Sequence, residues 1–411
     1  MSTQIQADRG DRKPPVKASK KRKSPGRELW NPIRNNIRSY AMFIALIGIF
    51  LFFGIRTNGL FLSPRNISDL VNQTGYVAVL AMGMTLILII RHIDLSVGYV
   101  AGFLGAVAAI LLRDGWPVYS VIPVVLLLGV AIGLYQGFLV AKVGVPAFVT
   151  TLAGMFMFRG LLSLITAGSG TIIVRNEAFK AVSNGFIPDI PNSSGIHLLT
   201  MIIGALLAVL MVTSQFRSRK TAISYQFEVS SSTLFILKNL ILSIAILGVA
   251  FVLAKYKGIP WTILIVSVVL FLYYYLLNKT RLGRYIYGIG GNAEAAELSG
   301  VNVQNVTLFC FASVSLMAAL GGILYTSRLA SAAPQAGLGF EMDAIASSYI
   351  GGVSVSGGVG KVTNTIIGSL VIMSLTNGMN LMGIDISYQY IVKGIIFILA
   401  VAFDVKTKKQ A

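Results

Sequence analysis

The chain has 411 residues, of which 55% are hydrophobic and only 12% charged, with a mean hydropathy of +0.76. A soluble protein of that length and composition would leave far too much apolar surface in water, so the sequence is that of a membrane protein. Its net charge of +19 arises from 34 Lys and Arg against 15 Asp and Glu, and eleven of the cations lie between Arg9 and Arg38.

A basic cluster beside a first membrane span holds the N-terminus on the cytoplasmic side by attraction to anionic lipid, and this is preferred to nucleic-acid binding. Residues 1–39 read as a disordered cytoplasmic tail rather than a signal peptide. The polar stretch is too long for an n-region, Pro14, Pro15 and Pro25 interrupt it, and no small-residue cleavage site follows the apolar run after Tyr40. The single cysteine, Cys310, permits no intrachain disulfide, and two distant histidines, His92 and His197, support no metal site.

About 20 apolar residues cross the hydrocarbon as a helix. Candidate spans are 40–56, 70–90, 95–112, 117–141, 147–167, 196–214, 233–254, 260–277, 307–328, 342–356, 362–383 and 387–404. The expected fold is therefore all-α and polytopic, with about 10–12 transmembrane helices. Residues 40–280 carry the first eight spans, 281–306 a cytoplasmic loop, 307–405 the last four spans and 406–411 a cytoplasmic C-terminus. With the tail inside, the cytoplasmic loops and C-terminus hold twelve cations and the outside loops eight. The weakest spans are 342–356, which contains Asp343 and several glycines, and the pair 233–254 and 260–277. The pair 233–254 and 260–277, joined by the tight Lys257-Gly258-Ile259-Pro260 turn, behaves as a removable hairpin. The outside loop from Gly168 to Gly195, with Asn176, Asn184 and Asn192, is either a docking surface or a plain connector.

Between spans eight and nine lies a polar, glycine-punctuated segment, Arg281 to Val306. Its centre predicts a short helix with a cap at Asn292, helix formers from Ala293 to Leu298, and a stop at Gly300. Ala293, Glu294, Ala295, Ala296 and Glu297 are too small or too polar to bury much surface. The segment is either a knob offered to another protein or an ordinary solvated loop helix.

The nearest approach to a phosphate-cradling loop is Gly360-Lys361-Val362, which lacks the hydroxyl residue at 362 and has Val355 where the first glycine belongs. The chain is thus expected to be no enzyme, to hydrolyse no ATP by itself and to hold no cofactor. Few charges fall in or beside spans: Asp94, Arg159, Lys238, Glu341, Asp343 and Lys393. Each is a functional candidate, since an ionisable group in lipid needs a partner or a wet cavity. Asp94 is placed to cap the helix that follows it. Arg159 and Lys393 lie deeper, with partners the sequence does not name. Gly351, Gly352, Gly357, Gly358, Gly360 and Gly368 suit close helix approach and equally suit breaks beside a cavity. Asn377 and Asn380 share a helical face, where they line a pathway for a hydroxylated solute or bond another helix.

Several stretches in order carry a family likeness: Ile93-Asp94-Leu95-Ser96-Val97-Gly98, Thr151-Leu152-Ala153-Gly154 with Phe158-Arg159-Gly160, Ile289-Gly290-Gly291-Asn292 through Gly300-Val301, Ile350-Gly351-Gly352-Val353-Ser354, and Asn377-Gly378-Met379-Asn380-Leu381. The sequence resembles the membrane permease subunit of bacterial ABC importers for monosaccharides, the ribose, xylose and multiple-sugar branch, with a type II-like permease fold. That family's cytoplasmic loop carries a Glu-Ala-Ala…Gly pattern, matched by Glu294-Ala295-Ala296 and Gly300. The extra segment, roughly Thr221 to Gly258, fits the removable hairpin and favours the longer xylose or multiple-sugar kind.

The resemblance implies a bacterial inner-membrane protein with both termini cytoplasmic, paired as a homodimer, served by an extracytoplasmic sugar-binding protein and driven by a separate ATPase subunit that binds the ATP. Coupling to the ATPase then falls to Gly290, Gly291, Asn292, Glu294, Ala295, Ala296 and Gly300. Asp94, Arg159, Asn377, Asn380 and Lys393 are the candidate pathway or structural polar groups. The permeation path has no tight cluster of polar groups in the sequence, so specificity is expected to sit largely in the binding protein. The competing classes are an ion-coupled secondary carrier and a non-transporting membrane scaffold.

Overall fold

The structure is a computed structural model that describes residues 37–168, 170–191, 195–227, 229 and 231–408, with side chains described from 42 to 402. Most of the basic tail, Asn192 and Lys409 lie outside the described residues.

The chain opens with α1 (Ile37–Arg56), a 3₁₀ turn at Leu60–Leu62, α2 (Pro64–Ile89), α3 (Val97–Arg113), α4 (Val118–Phe138) and α5 (Ala147–Thr166). A π-helical turn at Leu139–Val143 extends α4. After β1 (Ile172–Ile173) and α6 (Glu177–Asn184) come α7 (Leu198–Ser224), α8 (Ser232–Ala254), α9 (Trp261–Lys279), α10 (Arg281–Gly291) and α11 (Ala293–Leu298). The C-terminal part is α12 (Val303–Leu329), β2 (Ser331–Ala332), α13 (Phe340–Ile350), α14 (Val362–Leu381) and α15 (Ile386–Lys408). Among the described residues, eight helices are long and apolar enough to cross a membrane, and three shorter apolar ones lie in α1, α3 and α15.

α2 and α12 form the axis of the bundle. The apolar window of α2 is 94% enclosed by protein and that of α12 72%, against 17% for α7 and α8. Close approach depends on residues without bulk. A Cβ at Gly133 would collide with the Phe311 carbonyl, and one at Gly322 with the Ala101 carbonyl, so α3 and α4 lie backbone to backbone on α12. Hydroxyls add interhelical bonds where lipid offers none: Thr85 Oγ1 meets Thr365 Oγ1 at 2.9 Å, and Ser348 Oγ donates to the Ala81 carbonyl at 3.1 Å.

Two expectations change. The first is the span 342–356, whose helix α13 has only 11 residues. At about 1.5 Å per residue it is roughly half the hydrocarbon thickness. The chain from β2 first dips beside α3, where Gly337 meets the Gly98 carbonyl, and only then becomes helical. After α13 it reaches the opposite end of the bundle, where the Gly358 amide donates to the Ile89 carbonyl at 2.9 Å. The crossing is therefore made of irregular backbone followed by a half-length helix. The irregular part is buried against α3 at Ala336 and Gly337 and lines a cavity at Gln335, Leu338 and Gly339, the two settings in which such backbone is tolerated at membrane depth.

The second concerns the hairpin. α8 packs on α7, with Gly204 against Ala250, rather than forming a detachable pair with α9. α9 is built into the bundle through Thr262 against Gly75 and through the Tyr273 hydroxyl on Ser313. The extra segment 221–258 thus supplies α8, one arm of the peripheral pair α7–α8.

Residues 170–191 of the outside loop are organised on the bundle end. β1 pairs antiparallel with β2, Ser327 Oγ donates to the Phe179 carbonyl at 2.7 Å, and Asn184 Nδ2 donates to the carbonyls of Ser327 and Arg328 at 3.1 and 2.9 Å.

Candidate functional site

The end of the bundle away from β1 and β2 carries α10 and α11. Thr280 opens α10, accepting from the Gly283 amide at 3.2 Å, and the helix buries Gly283, Ile286, Ile289 and Gly290. Its last carbonyls have no partner within the helix, as at any helix C-terminus. Arg91 supplies one: Nε donates to the Gly290 carbonyl at 2.7 Å and Nη2 to the Gly291 carbonyl at 2.6 Å. A cation there also suits the negative end of the helix dipole.

Gly290 allows no larger residue, because a Cβ would collide with the Ile89 carbonyl oxygen, and Gly358 lies against the same spot. Gly357 and Gly358 take φ values of 73° and 71°, a left-handed turn that only glycine adopts cheaply. The Tyr287 hydroxyl donates to the Gly360 carbonyl at 2.7 Å. Three segments far apart in sequence, 89–91, 287–291 and 357–360, are thereby clasped by close backbone packing and by the Arg91 and Tyr287 side chains on backbone carbonyls. Burial lowers the pKa of the neighbouring His92 from its ordinary value.

α11 projects from this clasp. Asn292 is its N-cap, accepting from the Ala295 amide at 3.0 Å; Ser299 Oγ donates to the Ala295 carbonyl at 2.7 Å; and Gly300 follows with φ 84°. Ala296 is the one buried residue of the helix, while Glu294, Ala295 and Glu297 are exposed. Leu298 is 91% exposed. The sequence reading passed over Leu298 and Arg91. The signal for Leu298 was present, as it is the only large apolar residue between Ile289 and Val301.

The polar candidates inside the bundle separate into groups. Asp94 is buried and its Oδ1 accepts from both the amide and the hydroxyl of Ser96, at 2.8 and 2.7 Å, bracing the turn into α3. Ser96 is the residue at the N-cap position. Arg159, expected to be deeply placed, is exposed on α5, its guanidinium 5.8 Å from the Tyr99 ring centre. Asn377 is buried against α2, accepting from Asn66 Nδ2 at 2.9 Å and donating to Gln73 Oε1 at 3.4 Å.

Asn380 and Lys393 instead line one chamber of about 620 Å³ in the half of the bundle remote from α10 and α11. Lys393 Nζ donates to both carboxylate oxygens of Asp343, at 2.9 and 3.1 Å, with side-chain exposures of 19% and 11%. Gln389 Nε2 donates to Asn380 Oδ1 at 2.7 Å and to the Ile384 carbonyl at 2.9 Å. One wall is a three-ring cluster, Tyr76, Tyr325 and Phe340, with centroids 4.8 to 5.2 Å apart. Polar groups are clustered here, contributed by α13, α14 and α15. The volume and mixed lining are those of a small-molecule site.

A model of the permease component of branched-chain amino acid transport systems matches residues 66–401. The xylose transport system permease protein of Escherichia coli is 40% identical over 377 residues, covering 92% of this chain and 94% of that protein. The protein of the same description from Haemophilus influenzae is 38% identical over 378 residues, covering 91% and 98%. The ribose import permease protein of Haemophilus influenzae is 36% identical over 367 residues, covering 89% and 92%. No solved structure matches the chain.

Proposed function

Because the chain belongs to the family of permease components of branched-chain amino acid transport systems, we propose that it is the membrane permease subunit of an ABC importer for a monosaccharide, with xylose favoured over ribose. The observation that carries this is the 40% identity to a xylose permease over nearly the whole of both chains. The protein is a multi-pass component of the bacterial inner membrane with both termini in the cytoplasm. A homodimer of this chain takes sugar from a binding protein on the β1–β2 side, and an ATPase subunit docks on the α10–α11 side and binds the ATP.

The docking element is α11, with Leu298 seated in the ATPase and Glu294 and Glu297 at its rim. Burying a leucine from full exposure contributes about 1.5–3 kcal/mol, so this side chain outweighs the small residues around it. Asn292 and Gly300 fix the two ends of the helix. Gly290, Gly291 and Arg91 tie its base to the end of α2 and to the loop after α13. Those two helices carry Tyr76, Phe340 and Asp343 into the chamber, so a displacement of α11 on ATP-driven closure reaches the solute passage through packed backbone.

The test is uptake into vesicles holding this chain with its ATPase and binding protein. ATP-dependent xylose uptake is the expected result. Uptake by this chain alone, abolished by an ionophore and indifferent to ATP, would establish an ion-coupled carrier instead.

A further inference from the structure

Resting on the reading of the chain as a monosaccharide permease, we propose that the chamber between α13, α14 and α15 is a sugar-binding station within a single protomer, and that the Asp343–Lys393 pair makes it selective for neutral sugars over charged ones. Selection of solute is then divided between the binding protein and the permease itself.

The chamber matches the two-faced character of a monosaccharide. A sugar ring presents C–H groups on its faces and hydroxyls around its rim. The Tyr76, Tyr325 and Phe340 rings supply an apolar wall for the former. Across the chamber, Gln389 commits both amide hydrogens to Asn380 Oδ1 and the Ile384 carbonyl. That leaves the Asn380 NH2 as a donor and Gln389 Oε1 as an acceptor, neither with a protein partner among the described residues. A donor and an acceptor on neighbouring side chains suit adjacent hydroxyls, each of which both gives and takes a hydrogen bond.

Lys393 and Asp343 add further polar atoms without adding net charge. Their mutual bond, 2.9 Å at its shorter arm, holds each ion in a setting where a lone charge is strongly disfavoured. A neutral solute crosses this setting without disturbing the pair, whereas an anion or cation must compete with one of its members. The carboxylate comes from α13 and the ammonium from α15, so the pair also fixes the chamber's width.

The experiment measures binding to the full chain in lipid nanodiscs by saturation-transfer NMR, with xylose and glucuronate, the pyranose that differs from it by a carboxylate on C5, as probes. Xylose is expected to bind the wild type and glucuronate to bind it about five- to tenfold more weakly. Asn380→Ala and Gln389→Ala each weaken xylose by a similar factor. Asp343→Asn, which leaves the ammonium unmatched, reverses the preference towards glucuronate, and the exchange of the pair, Asp343→Lys with Lys393→Asp, restores it. Size-exclusion elution of each variant separates loss of binding from loss of fold. Should the Asp343 variants fail to fold, the Asn380 and Gln389 variants still decide the station and the wild type's preference between the two probes still decides the selectivity.

The proposal is overturned if the wild type gives no xylose signal, gives one that Asn380→Ala and Gln389→Ala leave unchanged, or binds the charged probe as well as xylose. Each of these results would stand beside ATP-driven sugar uptake by the assembled transporter, so it would refute the proposal without refuting the importer.

Discussion

The two ends of the bundle are built on opposite rules. At the α10–α11 end, Ile89, Gly290 and Gly358 bring backbones together until no side chain fits at their contact, and the Arg91 side chain ties the edge of it. In the chamber, the backbones stand apart and polar side chains meet across the gap. The clasp is specified by the absence of bulk and the chamber by chemical identity; in the proposed importer the first transmits displacement and the second recognises a solute. Damage should therefore be reparable by complementary charge in the chamber and irreparable in the clasp.

The strongest break is Lys393→Met, which leaves Asp343 as an uncompensated, largely buried charge. It should cost about 3–5 kcal/mol, seen as a large fall in thermal transition temperature in detergent, and Asp343→Asn in the same chain should recover most of it. Next, Gly290→Ala must push α10 away from the Ile89 carbonyl, at a cost of about 1–3 kcal/mol with no compensating substitution. Gly291→Ala, where nothing lies within contact distance, should be close to neutral in the same assay. Arg91→Met removes two charge-assisted bonds to the α10 terminus. It should cost about 1.5–3 kcal/mol and leave ATP hydrolysis by the complex less responsive to sugar. Leu298→Ser should also change stability little, since that side chain touches little of its own chain. Its transition temperature should stay within a degree or two while co-purification of the ATPase falls, a dissociation of fold from assembly that no clasp variant should reproduce.

How much of this was legible in the sequence depended on whether a feature is local. The cap at Asn292 and the stop at Gly300 follow from neighbours within a few residues and are found where the spacing places them. Spans such as 147–167 and 233–254 differ by at most a residue or so at each end from α5 and α8, because a long apolar run between polar ends leaves little choice. The partners were illegible. Asn377 meets Asn66, 311 positions away, and Lys393 meets Asp343, 50 positions away, and no periodicity connects such pairs. The pairing of α8 with α7 rather than α9 was hidden because a helix apolar all round gives no indication of which face meets protein and which meets lipid. For α13, polar residues and glycines weakened the span correctly, yet the descending coil before it has no signature beyond Gly337 and Gly339.

The burial of α2 bears on how the protein is made. Among the eight long helices, α2 and α14 have the least apolar windows, yet protein encloses them far more completely than it does α7 or α8. Lipid thus rewards least the helices on which the bundle depends most. On a ribosome, α2 emerges more than 200 residues before α12, its principal neighbour. In that interval its Asn66, Asn72 and Thr85 lack the enclosure they have in the finished bundle. Nascent chains truncated before Val303 should therefore hold α2 loosely, labelled by water-soluble thiol reagents at introduced cysteines, and become protected once α12 has been synthesised.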